Sequence, residues 1–332
     1  MLDNARFQPP AKRLPDLPVC PGAAAERASE DAPVPHLADD ERQCVYRNPD
    51  GTWSRTHSTD HLVRQENLKE YPPLARALHA LGGTTGYGVR TVVDAGANDG
   101  LSTRLFSIGL PEARVIALEP ALANYAMLVR NTHKLPAVTP LRAALWNSST
   151  ALAVSGDATW SMSVRPTDPA AASGSGGGRH VGSSGGHASG ELPGITVASL
   201  LEALCAPAID FLKMDIEGAE QFVLVPGSAS WLRRVKVFYM EAHAWARDKA
   251  TGASAVKTSV QALLNAGMTV LTNPNLTMAT WMPSQPKRRE YVFLACHPEH
   301  VTRRQCMGLC ESWRAGTGLG CEYVNRKRQQ QR

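Results

Sequence analysis

The stretch TVVDAGANDGLSTRLFSIG, residues Thr91 to Gly109, decides the fold of this chain. It opens with a short apolar run that ends at Asp94, which predicts a buried strand. From Leu101 onward the apolar residues have helical spacing, and the intervening segment Gly96–Gly100 has a glycine at each end that lets the backbone turn tightly. A strand, a glycine-containing turn and a helix in this order are typical of a site for a nucleotide-like cofactor.

The same alternation of strand and helix continues along the chain. Further strands are predicted at Ala113–Pro120, Val138–Trp146, Ile209–Ile216 and Lys236–His243, and helices at Leu101–Ile108, ALANYAMLVRNTHK and SAVKTSVQALLNAG. The last two strands, MTVLTN and EYVFLACH, are joined by a loop without room for a crossover helix, so they are expected to be antiparallel. The pattern predicts the α/β class, with a doubly wound, mostly parallel, seven-stranded sheet and a C-terminal antiparallel hairpin.

Composition divides the chain into a leader, a core and a tail. Residues 1–60 are rich in Pro, Ala and charge and are expected to be irregular. The core domain is predicted to span residues 61–297, with a flexible Gly/Ser-rich insertion at 155–194. His180 and His187 lie in this insertion, and a flexible loop does not hold a catalytic base in place. Residues 298–332 form a basic, cysteine-containing tail.

Length, hydropathy and charge bound the class of protein. The chain has 332 residues and 43% hydrophobic residues, enough for a sizeable core. No apolar run approaches the roughly 18–20 residues of a membrane span, and the N-terminus does not resemble a secretory signal, so the cytoplasm is the default prediction. The net charge of +5 is modest, and the basic runs at 287–289 and in the tail are expected to be solvated ends, with no nucleic-acid partner. The oligomeric state is not predictable.

The cysteines allow three interpretations. Seven are too few for a disulfide scaffold of this length, but Cys306, Cys310 and Cys321 cluster near His297 and His300. Their spacing matches a zinc site poorly because it lacks a paired C-x-x-C. Free thiols are favoured over a local disulfide, and a disulfide over zinc.

The charges of the glycine turn discriminate among cofactors. A dinucleotide places an anionic pyrophosphate over such a turn, and Asp94 and Asp99 would put negative charge beside it with no basic residue in the turn. S-Adenosylmethionine has no phosphate and carries a sulfonium and an ammonium, which acidic residues suit. Glu119, ending the second strand, is placed to accept ribose hydroxyls, although NAD would use it equally. The sequence therefore predicts S-adenosylmethionine as the cofactor.

Four segments together resemble one known family. VVDAGANDGLSTRLF, ARVIALEPALANYAMLVRNT, IDFLKMDIEGAE and VFYMEAH are similar to the successive motifs of the FkbM family of S-adenosylmethionine-dependent methyltransferases. The resemblance runs from about Val92 to Cys296, without the Gly/Ser insertion. It implies a class I methyltransferase fold and O-methylation, typically of sugar or polyketide hydroxyls, so the expected partner is a small-molecule or glycan hydroxyl substrate.

The resemblance also implies roles for individual residues. The cofactor would be bound by Asp94, Gly96, Ala97, Asn98, Gly100, Glu119 and Ala144. The reacting side of the pocket would be lined by Asp215, Glu217, Glu241 and His243. Asp99 departs from the usual apolar or small residue, and two roles stay open for it: contact with the amino acid moiety of the cofactor, or a cap on the next helix.

Methyl transfer from a sulfonium is an in-line displacement, and an alcohol needs a base to remove its proton. His243 is the first candidate for the base because its ordinary pKa lies near neutrality and Glu241 points to the same side of its strand. Asp215 is the second. Glu220 is expected only to stabilise the dipole of the following helix. Asp215, Glu217 and Glu241 could hold a divalent cation, but metal-free catalysis is favoured.

Other functions are weighed against this one. Enzymes that methylate exocyclic base nitrogens have an N/D-P-P-Y/F motif after the fourth strand, and this chain has Asp215-Ile216-Glu217 there. Enzymes that methylate cytosine carbon need a nucleophilic cysteine in the same region, but Cys205 lies before the strand. The concentration of carboxylates would also repel phosphates. Two alternatives remain, an NAD-dependent oxidoreductase and a degenerate, non-catalytic binding module.

Overall fold

The computed structural model describes residues 44–85, 88–155, 163–167, 191–225, 227–243, 255–272, 290–315 and 320–324. Most of the predicted leader, most of the Gly/Ser insertion with His180 and His187, and the basic runs at 287–289 and in the tail lie outside these residues. No helix within the described ranges is long and apolar enough to cross a membrane.

The helices are α1 (Asp60–Thr85), α2 (Leu101–Gly109), α3 (Leu122–Thr132), α4 (Val197–Ala203), α5 (Glu220–Val223), α6 (Ala229–Leu232), α7 (Ala255–Asn265) and α8 (Arg303–Arg314). The strands are β1 (Val45–Arg47), β2 (Trp53–Arg55), β3 (Thr91–Ala95), β4 (Arg114–Leu118), β5 (Val138–Leu141), β6 (Ala144–Leu145), β7 (Ala151–Ser155), β8 (Ser163–Pro166), β9 (Leu192–Ile195), β10 (Ile209–Met214), β11 (Val235–His243), β12 (Thr269–Thr272), β13 (Glu290–Cys296) and β14 (Glu322–Tyr323).

The central sheet has the strand order β14-β12-β13-β11-β10-β3-β4-β5. The strands from β11 to β5 are parallel to their neighbours, and β13 is antiparallel to both β11 and β12. The chain winds outward from β3 to β5 and then returns to build the other half from β10, so the strand order reverses between β3 and β10. Ligands of open α/β sheets bind at the carboxyl ends of the strands at such a switch point.

The α/β class predicted from the sequence is confirmed, and several details differ. Within residues 1–60, which were expected to be irregular, β1 pairs with β2, and within the expected flexible insertion at 155–194, β8 pairs with β7. Among the described residues the central sheet has eight strands, because Glu322–Tyr323 pairs with β12 at its edge. The predicted strand Val138–Trp146 is interrupted after Leu141, and Ala144–Leu145 pairs with β9 in a second sheet of order β6-β9-β7-β8.

Helices cover both faces of the sheet, which explains the nearly continuous apolar runs of β3 and β10. Val93, Leu212 and Phe238 pack on one face with residues of α4 and α7, whereas Val92 and Phe211 pack on the other with residues of α1, α2 and α8. A parallel strand buried on both faces needs apolar side chains at successive positions. A charged residue inside such a strand is therefore exceptional.

Two disulfides fix the C-terminal helix to the sheet. Cys296, at the end of β13, pairs with Cys306, and Cys310 pairs with Cys321. Cys306 and Cys310 lie four residues apart and so share one face of α8. The favoured prediction of free thiols at Cys306, Cys310 and Cys321 was wrong, because whether cysteines 10 and 11 residues apart meet depends on the packing of α8 and not on their spacing.

We expect loss of the Cys310–Cys321 disulfide to lower the free energy of unfolding by about 2–4 kcal/mol, because a cross-link restricts the unfolded chain. The Cys310→Ser/Cys321→Ser variant is compared with wild type by urea denaturation. Cys205→Ser is the matched control, since Cys205 is an exposed free cysteine, and its change should stay within about 0.5 kcal/mol. Equal stabilities of the double variant and the control would contradict the expectation.

Candidate active site

Four motifs meet at the carboxyl edge of the parallel strands. The turn Gly96–Gly100 follows β3, Glu119 follows β4, Asp215 follows β10, and His243 is the last residue of β11. Because β3, β4, β10 and β11 are neighbours in the sheet, these groups line one continuous edge at the switch point.

The glycines of the turn are required by contacts within the protein. Gly96 has a φ of 79°, and a Cβ built on it would lie 1.7 Å from the carbonyl oxygen of Asp215. A Cβ on Gly100, where φ is 85°, would lie 2.8 Å from Cδ1 of Leu128. The sequence predicts glycine here for tight turning and close approach of a ligand; the structure adds that the turn itself packs against β10 and α3.

Beneath the turn lies an ion pair that the charge argument did not include. Lys213, the last residue but one of β10, is 2% exposed, and its Nζ lies 3.2 Å from Oδ1 of Asp94 and 3.4 Å from Oδ2 of Asp215. The same Nζ donates a hydrogen bond of 2.8 Å to the carbonyl oxygen of Gly96. Burial lowers the pKa of Lys213, but Asp94 and Asp215 raise it by more, so the ammonium stays charged.

Asp94 is therefore part of the floor of the site. Its side chain is fully buried, and its Oδ2 accepts hydrogen bonds of 2.7 Å from the hydroxyls of Ser102 and Thr103. The sequence argument counted only the basic residues of the turn, whereas Lys213 on the neighbouring strand compensates this carboxylate. The signal was available, because a lysine within a buried apolar strand must be paired.

Glu119 is held in place from two sides. Asn98, at a φ of 50°, donates its backbone N–H to Oε2 at 2.9 Å, and Ala121 donates its N–H to Oε1 at 2.8 Å. Each carboxylate oxygen retains a second lone pair for another donor. Burial raises the pKa of Glu119 to about 7, although these hydrogen bonds and Lys213 act in the opposite direction.

Asp99 caps the following helix. Its Oδ1 accepts a hydrogen bond of 3.1 Å from the N–H of Leu101, the first residue of α2, and the side chain is 2% exposed. Burial and the nearby carboxylate of Asp60 raise the pKa of Asp99 to about 7. Of the two roles left open by the sequence, this geometry favours the helix cap.

The two predicted cofactor-contacting alanines are buried. Ala97 packs with Ala117 and Leu128 under the turn, and Ala144 packs with Trp146 in a separate apolar cluster. Their side chains contribute apolar surface to these two clusters. Within the turn, Gly96 and Asn98 are the residues that keep partial exposure.

His243 lies among carboxylates on the other side of the switch point. Its Nδ1 is 3.0 Å from Oε1 of Glu220, and since a carboxylate only accepts, Nδ1–H is the donor. Its Nε2 lies 3.5 Å from Oε2 of Glu217 and 3.9 Å from Oδ1 of Asp215. The imidazole itself is 1% exposed, whereas the side chains of Glu217 and Asp215 are about one quarter exposed.

Glu220 is the residue whose contact with His243 the sequence did not predict. It is fully buried, and besides His243 it accepts hydrogen bonds from the N–H groups of Ile216 and Gly218. Backbone conformations with positive φ at Glu217 and Gly218 turn the chain back, so that Glu220 lies behind His243. Its helix is only four residues long, so stabilisation of the helix dipole does not explain its burial.

The carboxylates determine the charge of His243. Burial lowers the pKa of His243, but Glu217, Glu220 and Asp215 raise it by more, and the net pKa lies well above the ordinary value. Glu241, two residues earlier on β11, is 8% exposed. Ligand atoms of Asp215, Glu241 and His243 lie within 4.8 Å of one another, so these three could also hold a divalent cation.

Comparison with known protein families shows the family of the chain. The model of the FkbM methyltransferase domain matches residues 94–267, about half of the chain. The chain belongs to the FkbM methyltransferase family. S-Adenosylmethionine is the cofactor of this family, and the matched region contains every residue predicted from the resemblance. Among curated proteins no match was found.

Solved structures give weak likenesses. Precorrin-6y C5,15-methyltransferase from Geobacter metallireducens GS-15 is 16% identical, with a TM-score of 0.29, over 64% of this chain and 87% of that one. A putative O-methyltransferase from Klebsiella pneumoniae is 14% identical, with a TM-score of 0.33, over 67% and 78%. Aeropyrum pernix fibrillarin with bound S-adenosyl-L-methionine is 13% identical, with a TM-score of 0.32, over 79% and 85%. The family assignment does not rest on them.

The residues present fit the cofactor of the FkbM family. Glu119 keeps two acceptor lone pairs suited to ribose hydroxyls, and the partly exposed Gly96 and Asn98 offer backbone next to it. The partly exposed carboxylates of Asp215 and Glu217 suit a cationic ligand.

Proposed function

We propose that this protein is an S-adenosylmethionine-dependent O-methyltransferase that methylates a hydroxyl of a sugar, glycolipid or polyketide-like small molecule. The observation that carries the proposal is His243, held by Glu220 through Nδ1 and facing Asp215 and Glu217 through Nε2, at the edge that holds the glycine turn. An alcohol requires removal of its proton during transfer, and this arrangement supplies an oriented base.

The proposed division of labour follows the two halves of the sheet. On the β3–β4 side, Glu119 accepts hydrogen bonds from the ribose hydroxyls. The turn Gly96–Gly100, which includes Ala97 and Asn98, provides a backbone surface for the cofactor. Ala144 contributes an apolar side chain to the wall of the pocket. Asp94 acts from below by holding Lys213, which in turn donates to the Gly96 carbonyl. The bound cofactor supplies an electrophilic methyl group for in-line displacement.

On the β10–β11 side, neutral His243 removes the acceptor proton through Nε2. Glu220 fixes the tautomer by accepting Nδ1–H, as an acidic partner does for catalytic histidines generally. Asp215 and Glu217 flank Nε2 and orient the hydroxyl, and Glu241 adds negative charge that stabilises the developing imidazolium. Because these carboxylates raise the pKa of His243, the base is stronger than an ordinary histidine and becomes neutral only at a higher pH than an ordinary histidine.

The proposed mechanism uses no metal ion. Asp215, Glu241 and His243 are close enough to ligate a cation, so the alternative is testable with the same assay. Activity that survives dialysis against EDTA supports the metal-free mechanism, and activity that is lost and then restored by one divalent ion overturns it.

The direct experiment is incubation of the purified chain with methyl-labelled S-adenosylmethionine and a panel of sugars, glycolipids and polyketides. We expect label to appear in at least one hydroxyl-bearing acceptor and not in matched acceptors whose hydroxyl is absent. Cofactor binding without transfer to any alcohol would contradict the proposal and favour the non-catalytic binding module. The oxidoreductase alternative gains no support from membership of a methyltransferase family.

We expect the affinity for S-adenosylhomocysteine to fall as the pH falls through 7, because protonation of Glu119 removes an acceptor for the ribose hydroxyls. With a pKa of about 7 in the free protein, the loss of affinity should approach about tenfold per pH unit below that value.

The effect of Glu119 on folding stability has the opposite sign. A raised carboxyl pKa stabilises the folded state at low pH, and that stability is lost as the pH rises toward 7.

Calorimetric titration at pH 6 and pH 8 measures this dependence. Glu119→Gln is the matched variant, and it should bind more weakly at pH 8 and show a flatter profile. If the affinity had the same pH dependence in wild type and in Glu119→Gln, the group that titrates would not be Glu119 and the expectation would be contradicted.

The compartment is a separate proposal. The cytoplasmic location predicted by default stays a prediction, and one observation points elsewhere. The two disulfides, Cys296–Cys306 and Cys310–Cys321, are of a kind that persists mainly in oxidising compartments. We therefore propose a secretory or periplasmic location, which fractionation followed by thiol labelling of the native protein tests.

A further inference from the structure

The turn between β13 and α8 gathers metal-ligating side chains away from the active site. We name residues 297–300 the HPEH turn after its sequence, His297-Pro298-Glu299-His300. His297, Glu299 and His300 each offer one ligand atom, and the three atoms lie within 4.8 Å of one another. We propose that the HPEH turn binds a divalent transition-metal ion, best matched by Zn²⁺, which takes imidazole nitrogen and carboxylate oxygen as ligands.

His297 supplies the second, independent observation. The residue is 3% exposed, and its Nδ1 is buried without a hydrogen-bond partner among the described residues. The ring does hydrogen-bond the backbone carbonyl of Ala266, and because Nδ1 is unpartnered the donor is Nε2. A carbonyl acceptor on one ring nitrogen fixes the tautomer and leaves the other nitrogen with its lone pair, as in many metal-ligating histidines.

The unpartnered lone pair lies next to the other two ligands. Nδ1 of His297 is 4.0 Å from Oε2 of Glu299, and the imidazole centroids of His297 and His300 are 5.7 Å apart. Glu299 is 71% exposed, so its side chain is free to close on an ion at the roughly 2.0–2.2 Å of a zinc bond. Leaving a buried acceptor unpaired destabilises the fold, and a bound ion removes that cost.

The backbone of the turn is fixed before any ion arrives. His300 and Val301 both donate their N–H groups to the carbonyl of His297, at 3.0 and 2.9 Å, and the N–H of His297 donates to the carbonyl of Lys236 at 2.9 Å. The Cys296–Cys306 disulfide closes the segment on both sides. A preorganised site loses less conformational entropy on binding.

The disulfides also define the chemistry of the site. Cys306, Cys310 and Cys321 are oxidised, so the ligands are nitrogen and oxygen only, and a fourth position stays open for water. The positive charge of Arg233 disfavours positive charge at His297. Arg233 is exposed, so solvent and salt screen this repulsion.

The HPEH turn is distinct from the methyltransferase site. It hydrogen-bonds Lys236 near the start of β11, whereas His243 ends that strand. The seven-residue separation at about 3.3 Å per residue places the two sites about 23 Å apart, on opposite edges of the sheet. A metal ion there would fasten β13 and α8 together and would not take part in methyl transfer.

The test is calorimetric titration of Zn²⁺ into the full chain after dialysis against a chelator, in a His243→Ala background that removes the active-site histidine. We expect one Zn²⁺ per chain, and a loss of more than about tenfold in affinity for His300→Ala and for Glu299→Gln. Both residues are at least partly exposed, so these variants should fold even if His297→Ala does not. His133→Ala, which removes an exposed histidine at the C-cap of α3, is the matched control and should bind normally.

A second readout is Co²⁺ substitution, which should give a visible absorption band that His300→Ala abolishes. Methyl transfer by the single variant His300→Ala should equal that of wild type. Equal Zn²⁺ affinity in His300→Ala, Glu299→Gln and the control, or binding that appears only after reduction of the disulfides, would overturn the proposal.

Discussion

Replacing Lys213 by methionine should lower the free energy of unfolding by about 3–5 kcal/mol, because the substitution leaves a carboxylate buried without its cation. Asp94 is fully buried, and Lys213 lies 3.2 Å from its Oδ1. In the variant the hydroxyls of Ser102 and Thr103 would be the remaining donors to that carboxylate among the contacts described above. The hydrogen bond that fixes the Gly96 carbonyl would also be lost, so the affinity for S-adenosylhomocysteine should fall with stability.

Urea denaturation of Lys213→Met measures this effect. Lys257→Met is the matched control, because Lys257 is exposed on α7, and its change should remain within about 0.5 kcal/mol. Adding Asp94→Asn should restore part of the lost stability by removing the unpaired charge. A Lys213→Met protein as stable as the control would contradict the role assigned to this ion pair.

Replacing His243 by alanine should reduce kcat by about 10²–10⁴-fold, the usual contribution of a positioned base, with little change in the affinity for S-adenosylhomocysteine. In wild type, kcat/KM should rise with pH through the raised pKa of His243, since only the neutral imidazole accepts a proton. Glu220→Gln removes one of the charges that raise this pKa. Its pH–rate profile should therefore move to lower pH.

The two controls separate catalysis from folding. His133→Ala and Glu202→Gln change an exposed histidine at the C-cap of α3 and an exposed carboxylate on α4, and both should leave kcat and the pH profile unchanged. If His243→Ala retained full kcat, or if Glu220→Gln lowered kcat without moving the profile, the Glu220–His243 pair would be structural only.

The sequence was sufficient for the order of strands and helices around the glycine turn. Apolar runs such as Ile209–Ile216 identify a buried strand, and the motifs at the strand ends place Glu119, Asp215 and His243 on one edge. The charges of the glycine turn predicted the cofactor, the resemblance to a family agreed with it, and the ordinary pKa of histidine made His243 the first candidate for the base. These predictions depend on local patterns that one chain displays directly.

Other parts of the site depend on contacts between distant residues. Gly96 must be glycine because the Asp215 carbonyl approaches it across the sheet, and Asp94 is neutralised by Lys213 from another strand. Glu220 reaches His243 only because Glu217 and Gly218 adopt positive φ. The spacing of Cys306 and Cys310 likewise does not reveal that their partners are Cys296 and Cys321.

The most direct test of the central claim is analysis of the product formed with deuteriomethyl S-adenosylmethionine and the best acceptor of the panel. We expect mass spectrometric fragmentation and nuclear magnetic resonance to locate one deuteriomethyl group on an oxygen of the acceptor, with its formation abolished in Asp215→Asn/His243→Ala. A deuteriomethyl group on carbon or nitrogen, or undiminished formation of the product by that variant, would contradict the account.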